Sequence, residues 1–506
     1  MKRAHIALIG IFVFGYLLRV WFLPSQSLTF GYDQARDAYE SLQIVDGNVK
    51  IYGPPASTPG LFHGVFYYYF LAPAYAVGDG SPLIAAYWVA LWNAFAVGIV
   101  YFLAYAFTKK TGAAILSALF FAVSFEATQY ATWLSNPTIG VWTVPLIYLG
   151  LWRWIHKEKW GNILTAIALA LSMQGEIFLI YHIVPVLIWL YVARKHISKK
   201  SVVVFSFIFL MTISSMIVVE LQHFSEALGG AASLASSGDE IVKRRLFGDI
   251  VILYLNQFGT TFSNALMPLN IGYGGMLGVG LITWLVLQKR QATKSSVSWQ
   301  LFLASYLLSH ASVVSVGGTS TPFLLVGIGS GAAVALGIFA HSLHSRNRLL
   351  FLGLSAIIIS SNLVSIMTKN KDGSVIFSIQ KDMTLKHQLA AVDYTYMSSK
   401  GNPFSINTLT SPLCVNTVWS YLYNWYGVNT YGYVPSYHGK DQVGRLGNTL
   451  MTPGPDVLMY YFISEPWQGI PEQFVKDAYE AEVSKGELID SVHFSQIEVQ
   501  RRDHNE

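Results

Sequence analysis

Asp33 and Asp37 stand four residues apart in the run Phe30-Gly31-Tyr32-Asp33-Gln34-Ala35-Arg36-Asp37-Ala38-Tyr39-Glu40. On a helix that spacing places both carboxylates on one face, and it brings Arg36 and Glu40 together as well. Such a pair can take the proton of a hydroxyl nucleophile or hold a hard cation. The same residues have quieter uses. Asp33 can cap the helix that follows, and Arg36 with Glu40 can form a surface ion pair.

Further polar groups recur where later apolar runs end: Glu126 and Asn136 in FEATQYATWLSNPT, Glu176 and His182 in QGEIFLIYH, Glu220 and His223 in ELQH. Each also has a structural reading. Asn136-Pro137 suits a cap and helix start, a lone His suits a hydrogen bond inside a core, and charges at the end of a span mark an interface. His63, His182 and His223 lie in different connectors, without the close spacing of a zinc site. Asp33, Asp37 and Glu126 are the only set that could gather around Mg²⁺ or Mn²⁺.

These groups must be positioned by a membrane protein. Of 506 residues, 53% are hydrophobic, 14% aromatic and 12% charged, against a charged share of about 25% in soluble domains. A span needs roughly 20 apolar residues, and runs near 5–23, 82–107, 112–127, 138–155, 161–175, 177–193, 201–219, 271–287, 297–314, 321–341 and 349–367 give about eleven. No small-x-small cleavage site follows the first run, so it reads as an uncleaved span. Connectors holding Lys109/Lys110, Lys157/Lys159, Arg194/Lys195/Lys199/Lys200, Lys289/Arg290/Lys294 and Arg346/Arg348 are basic, whereas the others hold the carboxylates. Basic flanks stay in the cytoplasm. The N-terminus is therefore expected inside, with the acidic loops 24–81, 126–138 and 220–270 outside. The short aromatic run FHGVFYYYFLAPAYAV (62–77) is expected to lie in the outer interface, because a crossing there would invert the later basic clusters.

The third outer loop carries Lys243-Arg244-Arg245, an exception on an acidic side. Arg forks match phosphate oxygens, although Asp239, Glu240, Asp249 or lipid headgroups are equally available partners. Glycines in GYGGMLGVG and GIGSGAAVALG follow no strand, so they read as close helix packing and not as nucleotide loops. No basic stripe interleaved with aromatics points to nucleic acid, and the single Cys414 excludes an intrachain disulfide. Beyond Met367 charge rises and strand-like segments appear at 403–409, 457–463 and 493–500. Helical ones appear at 418–427 and 472–484, giving a soluble α/β domain over 370–506 that the topology places outside. The tyrosine-rich stretch 421–439 suits either sugar stacking or ordinary core and membrane-interface packing.

A span ending in Leu18-Arg19, an outer loop opening on Tyr32-Asp33-Gln34-Ala35-Arg36-Asp37, and the Pro- and Tyr-rich segment GPPASTPGLFHGVFYYYFLAP (53–73) together resemble the C-type (GT-C) membrane glycosyltransferases. The likeness is to the branch of the protein O-mannosyltransferases and aminoarabinose transferases, and it covers roughly residues 1–230. The family's first-loop motif is typically Asp-Glu. Here Gln34 replaces the second acid, and Asp37, one turn on, is the candidate partner. The resemblance implies a polytopic α-helical fold with a C-terminal extracytoplasmic domain. It also implies a polyprenyl-phosphate-linked sugar as donor, a protein, lipid or glycan hydroxyl as acceptor, and no essential metal. Asp33, Asp37 and Glu126 would be catalytic. Arg19, His63 and Lys243–Arg245 would hold the donor phosphate, and Asn136, Glu176, His182, Glu220 and His223 would position sugar or acceptor. The setting expected is a bacterial plasma membrane. A transporter or flippase of lipid-linked sugars and a non-catalytic envelope assembly protein are the competing classes.

Overall fold

The computed structural model describes residues 2–56, 60–224, 247–291, 297–311, 322–378, 380–442, 446–454, 457 and 459–504. Among the described residues, four helices are long and apolar enough to cross a membrane: Arg3–Ser25, Pro82–Thr108, Ile271–Gln288 and Arg348–Lys369. Two further spans are formed only if each of two helix pairs bent by 57° counts as one.

The first part of the chain runs α1 (Lys2–Val20), α2 (Tyr32–Val45), α3 (Phe66–Val77), α4 (Pro82–Thr108), α5 (Thr111–Ala122), α6 (Phe125–Ala131), α7 (Gly140–Ile155) and α8 (Gly161–Gly175). It continues with α9 (Ile183–Val192), α10 (Lys199–Thr212), α11 (Ser214–Gln222), α12 (Phe247–Leu266), α13 (Ile271–Gln291), α14 (Trp299–Leu307), α15 (Ile328–Arg346) and α16 (Arg348–Lys369). At 1.5 Å per residue, the 12-residue α3 reaches about 18 Å, well short of a bilayer core of about 30 Å.

Within the loop expected over 220–270, the stretch Phe247–Leu266 is helix. In α12 apolar residues alternate with Asn256, Gln257, Thr260, Thr261 and Asn264, which lowers the hydropathy while keeping a helical stripe. Phe258, Phe262, Ala265 and Leu266 of that stripe are buried. Glycines let α13 approach α12 closely. An added Cβ at Gly274 would collide with the Ser263 backbone, and one at Gly278 would come within 2.6 Å of the Phe262 ring. Gly337 of α15 likewise has the Ser117 backbone of α5 against it. Gly337→Ala is therefore expected to destabilise by roughly 1–3 kcal/mol, the usual cost of overpacking, read as a lower midpoint in a detergent melting curve.

Arg19 explains the bend between α5 and α6. Its Nη1 donates to Gly15 O (2.8 Å) and to Ala122 O (3.0 Å) at the end of α5, and its Nε donates to Asn93 Oδ1 (2.6 Å). Asn93 Nδ2 in turn donates to Ala127 O (3.0 Å), and Asn362 Oδ1 accepts from Phe125 N (2.9 Å). Backbone groups freed by the break thus find side-chain partners, which a helix break within lipid requires. These bonds tie the buried Arg19 of α1 to α4 and to the end of α5; the phosphate role expected of it belongs to the proposal below.

The C-terminal part holds α17 (Leu385–Ser399), β1 (Phe404–Leu409), α18 (Thr417–Leu422), a widened turn (Tyr423–Gly427), α19 (Val428–Tyr431), β2 (Ser436–Tyr437), β3 (Met459–Ser464), α20 (Glu472–Lys485), β4 (Gly486–Phe494) and β5 (Ile497–His504). The sheet order is β2-β1-β3-β5-β4, with β1 parallel to β2 and β3, and β5 antiparallel to β3 and β4. The single strand expected at 493–500 is two strands. Ser495 takes φ +57° at the hairpin turn between them, a conformation that alternation of residue types does not reveal.

This part grips the entry to α2. Phe30 N donates to Met383 O (3.1 Å), Leu385 N to Leu28 O (2.9 Å), and Gln388 Nε2 to Phe30 O (2.6 Å). Tyr421 packs edge-on against Tyr39 of α2 at 5.0 Å and beside Phe30 at 5.6 Å.

Candidate active site

Helix α2 begins at Gly31, whose N–H is accepted by Gln34 Oε1 (2.9 Å). The Gln34 amide therefore fastens the helix start, and Asp33 is released from capping. Its side chain is 57% exposed. Arg36 lies behind it, buried. Nη1 donates to Asp33 Oδ1 (2.7 Å), while Nε (2.9 Å) and Nη2 (2.7 Å) both donate to Asp37 Oδ1. Arg36 is thus the hub of both carboxylates. Glu40, the partner expected for it, pairs instead with Lys50 Nζ (2.7 Å).

Asp37 is fully buried, and its Oδ2 has no hydrogen-bond partner among the described residues. Burial pushes its carboxyl up to about 7, against the opposing pull of Arg36. The two acids therefore differ in kind. One faces solvent and can meet a substrate, whereas the other is a buried counter-group to Arg36.

Asp33, Arg36, Glu40 and Lys50 line one wall of a cavity of about 1450 Å³. The first-loop segment Val49–Gly53, Leu61, Phe62 and Tyr68 also line it. The remaining lining is uncharged and includes Trp133, Phe323, Ile376, Phe377, Gln380, Met383, Ser411, Pro412 and Leu446. Phe377 stacks on Tyr130 at 4.3 Å and leans on Trp133 at 5.0 Å. Behind Gln380 and Ser411, the buried Glu465 accepts from Gln380 Nε2 (2.9 Å), Ser411 N (2.9 Å) and Trp419 Nε1 (3.0 Å). Burial raises that carboxyl to about 7.

His63 and Glu176 form a second, drier group beside α2. His63 Nδ1 accepts from Ile177 N (3.3 Å) and lies 3.7 Å from Glu176 Oε1. Burial lowers His63 to about 4 and raises Glu176 to about 8, so both are uncharged at neutral pH and the contact is not an ion pair. His223 packs with Tyr52 and Phe62 at the cavity rim, at 5.6 and 5.4 Å.

Other candidate residues lie away from the cavity. Glu126 is buried in α6, with its carboxylate against Gly329 at the start of α15. His182 Nδ1 shares a hydrogen bond with the Tyr148 hydroxyl (2.9 Å), and Tyr148 stacks on Tyr306 at 3.7 Å inside the bundle. Asn136 Nδ2 donates to Gly175 O, tying the α6–α7 connector to the end of α8. These bonds spend the positioning groups of His182 and Asn136 on helix packing. Glu220 sits partly buried on α11. Lys243, Arg244 and Arg245 lie outside the described residues. No group of three or more metal-ligating side chains occurs among the described residues.

Sequence reasoning passed over Lys50, the aromatic wall and Glu465. For Lys50 a signal existed: with Arg36 it is one of only two Lys or Arg residues between 24 and 81. Apart from Trp133, the wall and Glu465 come from segments more than two hundred residues beyond α2, and nothing local marks them.

No family model matches the chain, and no curated protein sequence does. Solved structures do. ArnT from Cupriavidus metallidurans in the apo state is 11% identical over 98% of each chain, with a TM-score of 0.55. The same protein bound to undecaprenyl phosphate is 10% identical over 98% of this chain and 97% of that one, with a TM-score of 0.51. The archaeal oligosaccharyltransferase AglB from Archaeoglobus fulgidus, in complex with an inhibitory peptide and a dolichol-phosphate, is 11% identical over 91% of this chain and 69% of its own, at 0.50. At such identities the likeness is one of fold, which the chain shares with these proteins along most of its length.

Proposed function

We propose that the chain is a membrane glycosyltransferase that moves a sugar from a polyprenyl-phosphate donor to an acceptor hydroxyl at the cavity lined by α2 and connecting segments of the C-terminal part. The observation that carries this reading is the exposed Asp33 carboxylate, braced by Arg36, on the wall of a cavity of about 1450 Å³. The fold supports it, since ArnT has been solved with undecaprenyl phosphate and AglB with a dolichol-phosphate. The domain division at about residue 370, some eleven crossings with the basic connectors inside, an outward site and a plasma-membrane setting belong to the same proposal. In it, α12 enters the bundle without reversing that order.

In the proposed step Asp33 accepts the acceptor's hydroxyl proton as the oxygen bonds to the anomeric carbon. The bond from that carbon to the phosphate oxygen breaks, and polyprenyl phosphate leaves with the electron pair. Lys50 is the cation that meets the phosphate, exchanging Glu40 for it. Arg36 is occupied by two carboxylates and holds Asp33 in place. Arg19 and residues 243–245 remain candidates for the same phosphate, and Asp37 acts through Arg36. No step requires a metal.

The test is turnover by purified chain in lipid nanodiscs with a panel of polyprenyl-phosphate monosaccharides. Release of polyprenyl phosphate supports the reading. Transbilayer movement of donor without release, in vesicles, would replace it with a flippase. Lys50→Ala is expected to raise the donor KM by about tenfold, equivalent to one lost charged hydrogen bond of roughly 1.5 kcal/mol, with kcat little changed. An unaltered donor KM in that variant would assign the phosphate to other residues.

A further inference from the structure

One stretch of the C-terminal part is unlike the rest of it. From Gly401 to Gly439 there is no Asp, Glu, Lys or Arg, and its helical portion reads TVWSYLYNWYGVNTY. Trp425 of that portion sits on Gly80, in the turn joining α3 to α4. A Cβ added to Gly80 would lie 3.0 Å from the indole Cδ1, and Gly80 takes φ +78° there. Tyr421 Oη donates to Gly80 O (2.5 Å). Because α4 is long and apolar enough to cross a membrane, the turn immediately before it lies at a bilayer surface. The helical portion is therefore fixed within one side chain's length of that surface.

The side chains nearest the turn suit such a place. Tyr421 and Trp425 both meet Gly80, and Val428 follows Trp425 just past the widened turn. Val428 is 42% exposed, and Val77 and Ile84, at the ends of α3 and α4 that flank the turn, are 86% and 37% exposed. Trp and Tyr favour the headgroup layer, where one end of the ring is dry and the other wet.

We infer that the 421–431 segment is a membrane-interface foot, its Trp425–Val428 face resting in the lipid headgroup layer at the N-terminal end of α4. The partner is the bilayer surface itself. The foot braces the same segment that presses Tyr421 against α2, so the lipid surface becomes one boundary of the cavity's support. The inference rests on α4 being a span and not on the transferase reading.

The experiment uses full-length Cys414→Ser protein in phosphatidylcholine/phosphatidylglycerol nanodiscs. An environment-sensitive fluorophore is placed at Val428→Cys, and separately at Glu487→Cys on the exposed edge strand β4. Nitroxide on lipid headgroups and at shallow acyl positions is expected to quench the label at 428 several-fold more than at 487, with iodide showing the reverse order. Equal quenching of the two sites by either agent, or iodide preference for 428, overturns the inference. Should the Val428→Cys chain not fold, Asn429→Cys in the same turn repeats the measurement with the same criteria.

Discussion

Asp33→Asn is expected to lower sugar transfer by about 10²–10⁴-fold, the usual contribution of a positioned general base, while leaving the protein folded. The asymmetry follows from where the side chain sits. Asp33 is more than half exposed and makes one contact, with Arg36 Nη1. An amide retains an acceptor oxygen for that bond, so neither packing nor the α2 start, which Gln34 fastens, is disturbed. What the amide cannot do is accept a proton at neutral pH. The check is polyprenyl-phosphate release by wild type and variant side by side, with melting midpoints for both. Wild-type turnover in the variant would move the base elsewhere and leave the fold assignment untouched.

The second large effect is expected at Arg36, and here activity and stability fall together. Arg36→Ala removes both donors from the fully buried Asp37 Oδ1, and Oδ2 already lacks a partner among the described residues. Leaving a buried charge without its partner costs roughly 3–5 kcal/mol. Transfer should be lost as well, since Asp33 loses its brace. Arg36→Met/Asp37→Leu, which removes both charges, should recover much of the stability without the activity. A double variant as unstable as Arg36→Ala would mean that the pair matters through packing and not through charge.

The pH dependence has a defined sign. Asp37 titrates near 7 in the folded chain and near 3.8 ordinarily. Between those values the folded state holds a proton that the unfolded state releases. Its contribution to stability is therefore greatest below the ordinary value and declines as pH rises through about 7. Asp37→Asn should remove that decline, so its melting midpoint changes less between pH 5 and pH 8 than the wild-type midpoint does. A variant and wild type with parallel profiles would show that Asp37 is not the titrating group.

Much of the architecture was legible along the chain. Apolar runs and their ends depend on local composition, so the runs near 5–23, 82–107, 271–287 and 349–367 reappear as the four helices long and apolar enough to cross a membrane among the described residues, against about eleven expected. The i, i+4 spacing of Asp33 and Asp37 gave a helix, found at Tyr32–Val45. Strands at 403–409 and 457–463 appear at Phe404–Leu409 and Met459–Ser464. Helix α12 was missed because its polar residues depress hydropathy without interrupting the buried stripe.

What a charged residue does depends on its exposure and its partners, and those come from far along the chain. Only the tertiary structure set Asp33 in solvent and Asp37 in the interior. It also gave Arg36 to both acids, turned Arg19 toward a helix bend, and raised Lys50 to the cavity wall. The entry to α2 is held by Gln388, 358 residues away from Phe30. Residue type and spacing determined that this chain has many apolar helices, a C-terminal sheet and an acidic helix α2. Long-range packing decided which acid meets the cavity, because burial and hydrogen bonding, which change the cost of a charge by several kcal/mol, are properties of the assembled fold.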